Sequence, residues 1–283
     1  MNYMTSLWLD VTLVALAAGA AGFVVMIRRA GFAAHALPMA AFPGAAASAL
    51  FGFPLWLGLG GFALGGAALL ATLQRNARKD AATALLLSSF LALGALFLSL
   101  SGHYAGSVYG LLFGQVFALS IQNLPVLAII GLAVPLLLWL GLRPLSLSAL
   151  SPDLMRIQGG APWLADWLFL ALLALAAGFA VPVTGALLVF SLMLGPGAAA
   201  ARLCSRPAFG LLLAMGLATT LAWAALELAC LSNYPVGFFT GVGAALIYLL
   251  TRLWSEMARP RQTMSPQAQA QSQRVMPTAP PSL

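Results

Sequence analysis

Long apolar runs alternate with short polar breaks along almost the whole chain. The runs cover about residues 11–27, 32–50, 55–73, 81–100, 124–142, 167–179, 186–201, 208–231 and 236–253. A run of about 20 apolar residues, rising 1.5 Å per residue as a helix, is long enough to cross a hydrocarbon core of roughly 30 Å. The breaks are of two alternating kinds. Arg28-Arg29, Arg75 to Lys79, Arg143 to Asp166, Arg202 with Arg206, and the segment beyond Arg252 carry the cations. The breaks at Gly52-Phe53-Pro54, Ser101 to Tyr104, Val181 to Gly185 and Ser232 to Pro235 carry none. Cations stay in cytoplasmic loops, so this alternation puts the N-terminus outside and the C-terminal tail inside. The segment 106–120 is apolar but short, with Gly110 and Gly114 inside it. As a crossing it would move Arg143, Arg156, Arg202 and Arg206 to the outside, so it reads as a re-entrant or surface helix. The pattern predicts an all-α integral membrane protein, a polytopic bundle of about nine transmembrane helices with one short re-entrant helix. The membrane domain spans 1–257, and the Pro-, Gln- and Ser-rich stretch 258–283 reads as a disordered cytoplasmic tail.

Composition sharpens this picture. The chain is 62% hydrophobic and 7% charged, with a mean hydropathy of +0.98, where a soluble domain carries about a quarter charged residues. In a soluble protein the net charge of +7 would suggest nucleic acid. Here it belongs to loops facing anionic lipid and a cytoplasmic partner, and no nucleic-acid role is expected. Met1 to Asp10 lacks the basic start of a signal peptide. Cys204 and Cys230, if joined by one helix, would lie about 40 Å apart, far beyond the reach of a disulfide, so both read as packing residues. The chain has no Walker A pattern, HExxH, CxxC or nucleophile elbow. It is expected to be no enzyme and to hold no cofactor of its own.

Polar groups inside a bilayer are costly and so are functional candidates. His35 and Met39, four residues apart, share one helix face. Imidazole and thioether can both contact a transition metal; equally, the pair can be a packed Met beside a hydrogen-bonded His. Gln115 interrupts the 106–120 segment, either lining a pathway or capping backbone. His103 lies in an outer loop and reads as solvated. Glu227, near the outer end of its run, is a cation stop or an interfacial side chain. The longest polar stretch, 143–166, contains Ser151-Pro152-Asp153-Leu154-Met155-Arg156-Ile157-Gln158-Gly159. Pro near the start and Gly past the end fit a short helix outside the bilayer.

Five segments in this order resemble a known family. They are Gly31-Phe32-Ala33-Ala34-His35-Ala36-Leu37-Pro38-Met39 running on to Pro43-Gly44; Gly110-Leu111-Leu112-Phe113-Gly114-Gln115; Ser151-Pro152-Asp153-Leu154; Gly185-Ala186-Leu187-Leu188-Val189 through Pro196 to Ala201-Arg202-Leu203; and Asn233-Tyr234-Pro235-Val236-Gly237. Together they resemble the permease subunit of zinc/manganese-type ABC importers, the ABC-3 family, across about residues 11–253. The resemblance implies a bacterial inner-membrane homodimer working with a cytoplasmic ATPase, which binds the ATP, and an extracytoplasmic metal-binding protein. It implies alternating access, with a metal ion as cargo. Pro152, Asp153, Leu154 and Arg156 would dock the ATPase. His35 and Met39 would be transient metal ligands, with Gln115, Glu227 and Asn233 along the pathway. The departures fall on ligand positions. Met39 stands where the family usually has His, His35 where manganese-type members often have Asp, and Gln115 and Asn233 each replace an Asp. Neutral or softer groups at these positions leave zinc, manganese, a softer ion or a metal complex open as cargo. A secondary carrier would instead show inverted repeats and more intramembrane charge, and a membrane scaffold would need no docking pattern.

Overall fold

The computed structural model of the chain describes residues 3–73, 79–101, 110, 112–114 and 124–258. Among these residues the secondary structure is helical throughout. The elements are α1 (Tyr3–Arg28), α2 (Gly31–Phe51), α3 (Leu55–Leu73), α4 (Lys79–Leu100), α5 (Leu124–Leu140), α6 (Leu142–Leu150), α7 (Pro152–Ile157), α8 (Pro162–Thr184), α9 (Val189–Leu203), α10 (Pro207–Ser232) and α11 (Val236–Ala258). Seven are long and apolar enough to cross a membrane: α1, α2, α3, α4, α8, α10 and α11. The pair α5–α6, bent by 58° at Gly141, makes an eighth.

The expected ninth span differs. The run 186–201 yields only the 15-residue helix α9, about 22 Å long and shorter than the hydrocarbon core. Its missing length lies at Gly185–Leu188, where the backbone turns before helix resumes. The preceding span is correspondingly longer than 167–179. Helix α8 starts at Pro162, runs through Pro182 and ends at Thr184. Proline removes one backbone donor there but does not stop a helix supported by packed neighbours, and Ala180 to Thr184 are all buried. The polar stretch 143–166 is also more helical than its composition suggests, holding most of α6, all of α7 and the start of α8. Of the segment 106–120, Gly110 and residues 112–114 alone are described, so its re-entrant course lies outside the described residues, as does the tail beyond 258.

Helix α1 is the axis of the bundle, packed against α5, α8, α9 and α10, while α2, α3 and α4 form a second layer joined to it through α8. Without a hydrophobic driving force between helices in lipid, small residues that let backbones approach decide the packing. A Cβ on Gly44 would lie 2.0 Å from the Gly58 carbonyl oxygen, and one on Gly22 would lie 1.9 Å from that of Met193. The buried face of α2 is made largely of Ala, with Pro38, Pro43 and Gly44. These contacts also fix direction. Arg28 meets Leu145, Ser148 and Asp166, and Phe23 lies against Gly210. Arg28, Arg143, Arg156, Arg202 and Arg206 therefore fall toward one end of the bundle.

Candidate functional site

At that basic end the side chains are closely matched. The Arg28 side chain is 9% exposed. Its Nη1 donates to the Leu145 carbonyl at 3.1 Å and to Ser148 Oγ at 2.7 Å. Its Nη2 pairs with Asp166 Oδ1, and its guanidinium sits 4.8 Å from the centre of the Phe169 ring. One cation thus ties α1 to α6 and α8, the two helices that flank α7. The short helix expected after Ser151 is present. Ser151 caps it by accepting from the Leu154 N–H, Pro152 occupies its first turn, and Gly159 leaves it at φ +78°. Met155 faces inward, whereas Leu150, Leu154 and Ile157 are exposed. Asp153 and Arg156 pair with each other at 3.2 Å in the open. The result is a small knob that exposes apolar side chains and a charged pair. Beside it a groove of about 550 Å³ is lined by Trp139, Arg143, Ser146, Gln158 and Pro207 among others.

His35 and Met39 share a face by spacing but not by environment. His35 is half-buried, its ring edge-on to Phe190 with centroids 5.1 Å apart. It lines a groove of about 500 Å³ with Arg29, Gly31, Phe32 and Phe190. Its Nδ1 is buried without a hydrogen-bond partner among the described residues. Met39 is 1% exposed and part of the hydrophobic core. Glu227 is exposed on α10. Asn233 is exposed and closes α10 in the left-handed region, φ 61°, with its N–H on the Ala229 carbonyl. Its identity is accounted for by that turn, since Asn tolerates this conformation better than most residues. Gln115 and His103 lie outside the described residues. Among the described residues no group of three or more His, Cys, Asp or Glu could hold a metal ion.

Three of the sequence segments singled out above meet at the opposite end of the bundle, and they meet through glycines. A Cβ on Gly114 would lie 2.5 Å from the Val183 carbonyl oxygen, one on Gly185 2.3 Å from that of Leu112, and one on Gly237 2.7 Å from that of Phe113. Gly114 and Gly185 have φ of +85° and +84°, and the Leu187 N–H donates to the Leu112 carbonyl. Residues 112–114, the Gly185 turn and the start of α11 are therefore one junction.

The match to known proteins runs along nearly the whole length. The family model described as the ABC 3 transport family matches residues 1–255. The chain belongs to this family. It is 24% identical over 88% of its length, and 90% of the relative's, to the manganese import system permease protein ScaB of Streptococcus gordonii. It is 27% identical over 72% of its length, and 71% of the relative's, to the manganese transport system membrane protein MntC of Halalkalibacterium halodurans. Among solved structures, PsaBC from Streptococcus pneumoniae in complex with Fab superposes with a TM-score of 0.80 at 22% identity, covering 97% of this chain and 96% of that one. The chain is thus a multi-pass membrane protein of a transport family, in agreement with the resemblance read from its motifs.

Two features of this family member were missed by the sequence reading. Arg28 looked like one more loop cation and Asp166 like the end of a loop. Their pairing joins residues far apart in sequence, and nothing local announces it. Asp10 was placed just before the first apolar run, but α1 begins at Tyr3 and Asp10 is 2% exposed. The signal was available: Ser6 and Asp10 are four apart and flank Leu7 and Trp8, which is helical spacing.

Proposed function

We propose that the chain is the permease subunit of an ABC importer that passes a divalent transition metal of the manganese–zinc class into the cytoplasm. The observation that carries this reading is the match to the ABC 3 transport family along residues 1–255, with relatives described as manganese permeases. The basic end faces the cytoplasm, which puts the N-terminus outside and the tail inside. A separate ATPase docks on the α6–α7 knob through Leu150, Asp153, Leu154 and Ile157, and the Arg28 linkage passes its motion to α1 and α8. An extracytoplasmic protein delivers the metal to the opposite end, and two copies of the chain form the pathway. His35 serves as a transient ligand from the groove beside Phe190, with Met39 supporting it from the core. A ligand set this sparse suits an ion that must leave again.

Reconstitution with an ATPase and a binding protein tests the reading. ATP-dependent accumulation of manganese or zinc is expected, reduced more by His35→Ala than by Met39→Leu, because imidazole is the stronger ligand and Leu keeps the packing volume. Failure to accumulate either metal under conditions in which ATP is hydrolysed would sink it. In a cysteine-free background, Tyr234→Cys should react with an impermeant thiol reagent from outside and Arg206→Cys only after the membrane is opened. The reverse result would invert the topology.

A further inference from the structure

Asp10 stands apart from the other carboxylates. Asp153, Asp166, Glu227 and Glu256 are all exposed to a substantial degree, whereas Asp10 is 2% exposed. Ser6, 3% exposed, lies one turn away on the same face of α1. Asp10 Oδ1 and Ser6 Oγ are buried with no hydrogen-bond partner among the described residues. Among the described residues, Ser146 Oγ is unpartnered as well, but the hydroxyls of other buried residues behave differently. Ser48, Ser148, Thr184 and Thr240 each donate to a carbonyl of their own helix, which removes the cost of burial. An ionised carboxylate has no proton to give and needs a donor or a cation. The Arg28 guanidinium is committed at the far end of the same helix, about 27 Å away. An enclosed carboxylate left unanswered costs several kcal/mol, and groups of this kind inside a membrane mark ion paths.

We infer that Ser6 and Asp10 form a cation contact near the non-basic end of the bundle, taking a hard divalent ion of the manganese class. A carboxylate and a hydroxyl offer oxygen ligands, which suit manganese better than a soft ion. Two protein oxygens, with water completing the shell, make a contact that an ion can leave. This inference rests on the proposed import function and adds to it an oxygen-lined step ahead of His35. It also places a negative charge on the route, although Met39, Gln115 and Asn233 are all neutral.

The test separates the two readings. The purified full-length chain in nanodiscs, without ATPase, is heated with and without Mn²⁺. Wild type should gain about 2–5 °C with saturating Mn²⁺. Asp10→Asn, nearly identical in shape, should lose most of that gain, and Ser6→Ala should lose part of it. In the reconstituted importer Asp10→Asn should lower manganese uptake at least about tenfold, with zinc uptake lowered less. No Mn²⁺ gain in wild type, or an equal gain in Asp10→Asn, overturns the contact. So does wild-type manganese uptake by Asp10→Asn. If wild type binds Mn²⁺ through Asp10 yet moves no metal with its partners, the contact stands and the import reading fails.

Discussion

The two ends of α1 solve the same problem in opposite ways. At Arg28 a long charged side chain is enclosed and every direction it reaches is answered: two oxygens of α6, a carboxylate of α8 and an aromatic face. At Asp10 a short charged side chain is enclosed and its Oδ1 is left unanswered. Nearby elements at that end are fastened by backbone, through Gly114, Gly185 and Gly237. One end is thus held by side-chain electrostatics and the other by shape. A charge network fixes geometry over several ångströms of reach and can be tuned by either partner. A glycine junction tolerates no added atom and leaves the polar side chains around it free for a ligand.

The comparison can be broken most sharply at the glycines. Gly185 has φ +84° and ψ 145°, a region almost closed to other residues. Gly185→Ala should therefore cost about 3 kcal/mol or more from strain and overlap together, read as loss of folded protein in thermal unfolding. Gly216→Ala, with open space around it, should stay within about 1 kcal/mol. If the two behaved alike, shape would not be what fastens that end. Next in size is Arg28→Gln, expected to cost about 2–3 kcal/mol by leaving Asp166 and the Leu145 and Ser148 oxygens short of a donor. Asp166→Asn should cost less, because that carboxylate is 55% exposed; an equal cost would show the pair to be tighter than its exposure implies. Asp10→Asn should raise stability by about 1 kcal/mol in the absence of metal, since it removes an unanswered charge. A loss of stability would mean that the carboxylate is satisfied in the membrane. The smallest effect belongs to Asp153→Asn. Its ion pair is exposed on both sides and should contribute under about 0.5 kcal/mol, so any loss of ATPase coupling in that variant would be a docking effect and not an unfolding one.

The membrane architecture was legible because its causes are local. Hydrophobic run length and the placement of Arg and Lys are properties of contiguous sequence, and so is the Ser-Pro start and Gly stop of α7. Where several causes competed, the sequence reading went astray. Pro182 looked like a stop for α8, but the enclosing helices keep it helical, and the break falls instead at Gly185, whose backbone conformation only the fold reveals. The apolar run starts at residue 11 because Asp10 interrupts it, whereas the burial of Asp10 depends on tertiary packing. The Arg28–Asp166 pair is long-range for the same reason.

The face of α2 has a kinetic consequence. Its buried surface is mostly Ala, which has no side-chain rotamers to rearrange, and Pro38 and Pro43 each withhold a backbone donor from the helix ladder. The Ala positions of such a surface have no rotamers of their own to change when it is displaced by a fraction of an ångström. A helix faced with Leu and Ile would move in discrete jumps between interlocked positions. On α2 the larger buried side chains Leu37, Met39 and Phe42 are therefore where such interlocking is concentrated.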